Sequence, residues 1–151
     1  MYINSLGYYI PPKRIPNEYF TEVNGLTSDW IAQRTGMLSR SRASEKETMD
    51  YMCSEAVKSA LPALPYDIKE VDIIVFASYT PSDTIATVGH AIQCEYNIED
   101  AKVFYISSAC SSGVNALEII RAFFYSQMAT NALMICADRN STYPDDTDCM
   151  S

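Results

Sequence analysis

One cysteine in this chain sits where nucleophilic chemistry is expected. In the stretch from Lys102 to Arg121, an apolar β-rich run, Val103 to Ile106, passes into Ser107, Ser108 and Ala109. Cys110 follows, and a helix opens on Ser111, Ser112 and Gly113. A thiol at that point meets the partial positive charge of a helix N-terminus and its free backbone N–H groups. Such surroundings favour thiolate and can lower a cysteine pKa from about 8.5 into roughly the 3.5–7.5 range. The same N–H groups can stabilise an oxyanion formed when sulfur attacks a carbonyl, and small neighbours leave a substrate room to approach. Cys110 is the candidate nucleophile; the alternative is a cysteine that merely packs, as free cysteines commonly do.

The other cysteines serve as internal controls. Cys53 falls in the apolar stripe Met49, Met52, Cys53, Ala56, Val57, Ala60, at helical spacing, and reads as core. Cys94 lies late in the helical segment Val88 to Tyr96, Cys136 ends the apolar strand 133–136, and Cys149 lies in a polar tail. None of them follows a strand and starts a helix. With no CxxC pair, neither a zinc ribbon nor a thioredoxin-type redox motif is expected.

The elements that must position Cys110 follow from periodicity and punctuation. Tyr2 to Ile10 reads as a first strand, stopped by Pro11 and Pro12. Thr27 or Ser28 caps a short helix carrying Asp29, Trp30 and Ile31, and Gly36 suits its C-cap. Ser44 to Leu61 is an amphipathic helix with Glu45 and Glu47 near its start and Pro62 and Pro65 beyond its end. Val71 to Ala77 is a continuous apolar run, as expected of a strand buried on both faces. A polar loop, residues 78–84, leads to a helix ending near Tyr96; strand 103–107, helix 112–127 and strand 131–137 follow. This alternation predicts βαβ crossovers and an α/β fold with a largely parallel sheet. The polar, aperiodic stretch from Asp138 to Ser151 is expected to be a loop, as though the chain had been cut from something longer.

Composition narrows the function classes. At 151 residues the chain suits one domain with a sizeable core, and 48% hydrophobic with 20% charged residues is ordinary globular composition. A net charge of -8 argues against a nucleic-acid or anionic-membrane partner. No apolar run reaches transmembrane length. The odd cysteine count, without a signal-peptide pattern, points to a reducing cytoplasm.

Taken together, several residues resemble the ketoacyl synthase III group of the thiolase-like superfamily, above all the 3-oxoacyl-[acyl-carrier-protein] synthase III enzymes of bacterial fatty acid synthesis. Ser107-Ser108-Ala109-Cys110-Ser111-Ser112-Gly113 is similar to their nucleophile loop. The segment from Ser28 to Gly36 is similar to their (D/E)-W-I-x-x-R-T-G motif, with basic residues following at Arg40 and Arg42. Val71 to Ser78 resembles the strand before their acyl-pocket loop. The resemblance spans nearly the whole chain. It implies a thiolase-like fold of two similar α/β halves, with residues 1–151 forming the first half, a mixed and largely parallel five-stranded sheet, and the second half absent.

It further implies that Cys110 accepts the acyl group and that Trp30 and Arg34 flank the adenine of coenzyme A at a tunnel mouth. An indole and a guanidinium suit that task chemically. The competing readings are a core or staple aromatic for Trp30 and a solvated helix end for Arg34. Ile85 matches a position reaching into a partner subunit's acyl pocket; its alternative is an ordinary helix-entry residue. The implied reaction is a decarboxylating Claisen condensation of acyl-CoA with malonyl-acyl carrier protein, in a homodimer. It needs no metal or redox cofactor, coenzyme A entering as the substrate thioester. The family's histidine and asparagine belong to the second half; His90 has no match to that histidine and reads as a helix-face residue. An arginine that helps grip coenzyme A is replaced around Cys149. The alternatives are a specialised polyketide or resorcinol-lipid synthase, hydroxymethylglutaryl-CoA synthase, and a non-catalytic half that only dimerises. Retention of a cysteine at the nucleophile position favours the catalytic lineage.

Overall fold

The computed structural model describes residues 1–80, 87–140 and 145–147. In chain order the elements are β1 (Arg14–Pro16), α1 (Asn17–Asn24), α2 (Ser28–Thr35), β2 (Ser39–Ser41), α3 (Met49–Ala60), β3 (Ile73–Ala77), α4 (Val88–Glu95), β4 (Lys102–Ile106), α5 (Ser112–Tyr125) and β5 (Ala132–Cys136). They divide into two compact units. One comprises Met1–Tyr9 and Met49–Asp138; the other comprises Ile10–Thr48 and the chain from Arg139 onward.

The larger unit is built on β3. Its five residues, Ile73, Ile74, Val75, Phe76 and Ala77, are all buried, so the uninterrupted apolar run needs cover on both faces. β4 and β5 pair with β3 on either side, both parallel, in the order β4-β3-β5. Side chains alternate between faces with a period of two. Ile73, Val75 and Ala77 meet Ala116 and Ile120 of α5, with Ile106, Phe123 and Met134 at the margin. Ile74 and Phe76 face α4, whose Gly89 comes so near that an added Cβ would lie 2.6 Å from Val103 Cγ1. Only glycine permits that approach without a shift of helix or strand. Burying each of the isoleucine, valine and phenylalanine side chains among these contributes roughly 1.5–3 kcal/mol.

The amino ends of β3 and β5 are tied by Asp72. Its Oδ2 accepts from the Thr130 and Asn131 N–H groups at 2.7 and 2.9 Å. These backbone bonds, Asn131's first, hold its carboxyl below the usual aspartate range, with Lys102 adding to the effect.

The smaller unit pairs β1 with β2 antiparallel, Arg14 opposite Ser41 and Pro16 opposite Ser39. Arg14 grips the hydroxyls of Ser41 and Ser39 at 2.9 and 2.7 Å. Buried Asn17 donates to the Met37 carbonyl at 2.8 Å and accepts from Arg40 Nη2 at 2.9 Å. Arg42 forms a two-pronged ion pair with Asp146 at 2.6 and 2.7 Å, and Tyr19 donates to the same carboxylate at 3.0 Å. Thr27 caps α2 by accepting from Trp30 N–H, and Gly36 closes it at φ +72°, a left-handed conformation that glycine adopts without strain.

The α/β class and the parallel core match the sequence expectation, and three details differ. Among the described residues the five strands form a parallel sheet of three and an antiparallel pair, not one five-stranded sheet. Tyr2 to Ile10 forms no strand, because alternation specifies a face and not a ladder partner. Instead, α3 holds this segment: Ser5 donates to the Ala60 carbonyl, and Ser59 accepts from Tyr8 N–H. A largely apolar cavity of about 590 Å³ separates this segment from β5, lined by Tyr2, Leu6, Val57, Leu117, Leu133 and Ile135 among others. The expected Ser44 start of the long helix falls at Met49. Ser44 and Glu47 satisfy each other in a turn, Ser44 N–H donating to Glu47 Oε2 at 2.7 Å and Glu47 N–H to the Ser44 carbonyl at 3.1 Å.

A depressed folded-state pKa means that Asp72 contributes stability fully above its unfolded value near 3.9. The contribution is lost as pH falls through the lower folded-state value. Asp72→Ala should therefore cost about 1 kcal/mol at pH 7, allowing for solvent screening. The deficit should shrink at an acidic pH below both the unfolded and the lowered folded-state value. Urea titrations at both pH values check this, and an equal deficit at both would contradict it.

Candidate active site

β4 ends at Ile106 and α5 begins at Ser112, and the residues between form a tight polar turn. Ser111 N–H and Oγ both donate to the Ser108 carbonyl, at 3.1 and 2.7 Å. Ser112 N–H and Oγ both donate to the Ala109 carbonyl, at 3.1 and 2.7 Å, and Ser112 Oγ accepts from Ser108 N–H at 2.8 Å. Asn115, one turn into α5, donates to Ser108 Oγ at 2.9 Å. The small polar residues noted in the sequence thus serve mainly as the framework of the turn.

The turn carries strain at Ala109, whose φ of +49° is uncommon for a residue with a Cβ. Such strain persists where the surroundings over-determine the conformation, and the serine and asparagine bonds do that here. The result is an exposed Cys110 two residues before the first helical residue of α5. Among the described residues, the N–H groups of Cys110, Gly113 and Val114 have no backbone acceptor. They are donors available to an oxyanion at this end of the helix.

The other described cysteines differ in surroundings. Burial, with smaller effects from Asp50 and Cys136, pushes the Cys53 thiol up to about 12, leaving almost no thiolate near neutrality. Partial burial raises the thiol of Cys136, itself an exposed residue, and Asp138 adds to the shift. Cys94 is exposed on α4, and Cys149 lies outside the described residues.

In the smaller unit, Trp30 is 46% exposed, which rules out the core-aromatic reading. The Arg34 guanidinium lies 5.4 Å from the indole centroid, so α2 brings the two residues together one turn apart. Flat groups touch at about 3.5–4.0 Å, so a base between them needs about 7 Å. Accepting one requires the guanidinium to swing aside; otherwise the base stacks on the opposite indole face. Ile85 lies outside the described residues. His90 is exposed on α4, as its helix-face reading required. Sequence reasoning missed Asn115 and the left-handed Ala109, neither of which carries a local signal, and the acceptor role of Asp138 described below.

A family model described as 3-oxoacyl-[acyl-carrier-protein (ACP)] synthase III matches residues 104–151, which contain this turn. The beta-ketoacyl-[acyl-carrier-protein] synthase III of Clostridium beijerinckii is 34% identical over 97% of this chain and 45% of its own length. The crystal structure of 3-oxoacyl-[acyl-carrier-protein] synthase III from Aquifex aeolicus superposes with a TM-score of 0.91 at 32% identity, covering 99% of this chain and 48% of that one. The chain belongs to the 3-oxoacyl-[acyl-carrier-protein] synthase III family. It therefore has the thiolase-like fold of an acyltransferase family, and it spans less than half the length of these relatives. A priming β-ketosynthase of the R1128 polyketide pathway is also similar, with a TM-score of 0.91 at 27% identity over 97% of this chain and 44% of its own. Among the described residues, no helix is long and apolar enough to cross a membrane.

The contrast between the cysteines is open to direct test. At pH 8, iodoacetamide should alkylate Cys110 at least about tenfold faster than Cys53, which is both buried and almost wholly protonated. Peptide mapping resolves the sites, with exposed Cys94 as the internal reference. Labelling of Cys53 as fast as Cys110 would contradict the geometry described.

Proposed function

We propose that this chain carries the acyl-accepting part of a ketoacyl synthase III reaction. The observation that supports it most is the exposed Cys110 on a strained turn, ahead of α5 and its unpaired N–H groups. In the proposed step the Cys110 thiolate attacks the carbonyl of an acyl-CoA thioester. A carbon–sulfur bond to Cys110 forms, the bond to coenzyme A breaks, and the coenzyme A thiolate leaves and takes up a proton. Holding the acyl group as a thioester divides one difficult condensation into two easier steps. Malonyl-acyl carrier protein then loses carbon dioxide, and its carbanion displaces Cys110 from the acyl group to give the 3-oxoacyl product.

Trp30 and Arg34 are proposed to receive the adenine end of coenzyme A, their exposure and stacking suiting a flat, anionic ligand. Ile85 is proposed as an acyl-pocket residue contributed to a partner subunit, in a cytoplasmic homodimer. No metal or redox cofactor enters the scheme. The histidine and asparagine that the resemblance assigns to the condensation step are not matched in this chain, so the chain alone is proposed to accept acyl groups without condensing them. The likeness to a polyketide priming synthase supports a second reading, in which the same acyl transfer serves a specialised pathway.

Intact-mass analysis after incubation with acetyl-CoA should show one added acetyl group, mapped to Cys110 and missing from Cys110→Ala. No acylation, or acylation that survives in Cys110→Ala, would overturn the reading. With malonyl-acyl carrier protein added, condensation should run at least about a hundredfold slower than in a full-length relative, since each missing positioned polar group commonly removes 10² or more. Comparable rates would show that this chain holds a complete catalytic set. Light scattering should give at least twice the 16.9 kDa chain mass; a monomer at high micromolar concentration would contradict the dimer.

A further inference from the structure

The carboxyl edge of the parallel sheet holds a second polar arrangement, outside the cysteine turn. The chain leaves β3 through Ser78, Tyr79 and Thr80, and Ser78 and Thr80 are fully or almost fully buried. Buried hydroxyl and N–H groups need partners, and one atom supplies most of them. Asp138 Oδ1, two residues beyond β5, accepts from Ser78 Oγ at 3.1 Å, Tyr79 N–H at 2.9 Å, Thr80 N–H at 3.2 Å and Thr80 Oγ1 at 3.1 Å. Two consecutive backbone N–H groups and two hydroxyls converging on one point form a nest for negative charge. A neutral carbonyl oxygen, with two lone pairs, matches four donors poorly; a carboxylate oxygen matches them better.

The same turn is fastened to the strand that leads to Cys110. The Ser78 carbonyl accepts from Tyr105 O–H at 3.0 Å, and Ser78 N–H donates to the Ile106 carbonyl at 3.1 Å. Tyr105 and Ile106 are the last residues of β4. On the other side, Asp138 lies two residues beyond Cys136, the last residue of β5, and Cys136 Sγ lies 3.4 Å from where a Cβ on Gly113, in the first turn of α5, would stand. Asp138 is thus linked to the cysteine segment from two directions, through β3 to β4 and through β5 to α5. Open α/β sheets bind ligands beyond the carboxyl ends of their strands, which is the edge these residues occupy.

We infer that Asp138 is a positioning residue: it fixes the turn at residues 78–80 beside the cysteine strand, and so sets the wall against which an acyl group meets Cys110. The inference deepens the proposed acyl transfer and rests on it for the identity of the ligand. It differs from an ordinary loop tie in one respect. Loosening the turn should change which reagents reach Cys110, not only how stable the chain is.

The test uses Asp138→Ala and Asp138→Asn in this chain with three readouts. These are hydrogen exchange at the Tyr79 and Thr80 amides, the ratio of Cys110 labelling by a bulky maleimide and by iodoacetamide, and the ratio of Cys110 acylation by hexanoyl-CoA and by acetyl-CoA. In Asp138→Ala, exchange should accelerate about tenfold or more, and both size ratios should move at least about threefold while iodoacetamide labelling stays within about twofold. Asp138→Asn, which keeps an oxygen in the same place, should fall between the two and so provide partial rescue. If the alanine variant does not fold by circular dichroism, the intermediate shift of the asparagine variant decides. Faster exchange with unchanged size ratios would reduce Asp138 to a loop tie, and unchanged exchange would overturn the inference outright. If the unsubstituted chain takes no acyl group from either thioester, the acyl-transfer reading has failed, and the maleimide ratio alone judges the role of Asp138.

Discussion

Burial of β3 on both faces is the constraint on which the larger unit depends. A strand with no exposed residue cannot be an edge, so β4 and β5 must flank it, and helices must cover its two faces. The period-two alternation then assigns Ile73, Val75 and Ala77 to α5 and Ile74 and Phe76 to α4. Once β4 is parallel to β3 and α5 crosses the face between them, the link from β4 to α5 must turn at the carboxyl edge. Cys110 lies in that link.

The chemistry of the site follows from how short the link is. Five residues separate β4 from α5, and reversing the chain in that space places Ala109 in the left-handed region. Serine hydroxyls and Asn115 hold the strained turn through bonds that use their own polar groups. What remains is the exposed cysteine and, among the described residues, the N–H groups of Cys110, Gly113 and Val114, which have no backbone acceptor. By contrast, Cys53 has the same side chain but lies in the core, where its thiol is pushed up to about 12. The same side chain thus meets opposite surroundings, buried in the core at Cys53 and exposed at the end of the sheet at Cys110.

The parts legible in the sequence are those governed by local rules. Uninterrupted apolar residues marked β3, helical spacing marked Cys53 as core, and Thr27 with Gly36 bracketed α2. The placement of Cys110 between a strand and a helix was legible because strand, small residues and helix are contiguous there. The parts missed depend on partners distant in sequence. Tyr2 to Ile10 has strand-like residues but no ladder partner. The short β1 and β2 are defined by each other, 25 residues apart at their Arg14–Ser39 contact. α1 could have been read from Pro16 before it and Gly25 after it. Asp138 carried no local mark as an acceptor, because its four donors come from residues about 60 positions earlier.

The central claim is that the turn at Cys110 presents a thiol and an oxyanion site together. A crystal structure of the chain after exposure to acetyl-CoA tests it most directly. The account predicts a thioester on Cys110 Sγ, with its carbonyl oxygen within about 3.1 Å of one or more N–H groups of Cys110, Gly113 and Val114. An acetyl group on Cys94 instead, or a thioester on Cys110 whose oxygen points away from α5 into solvent, would contradict it.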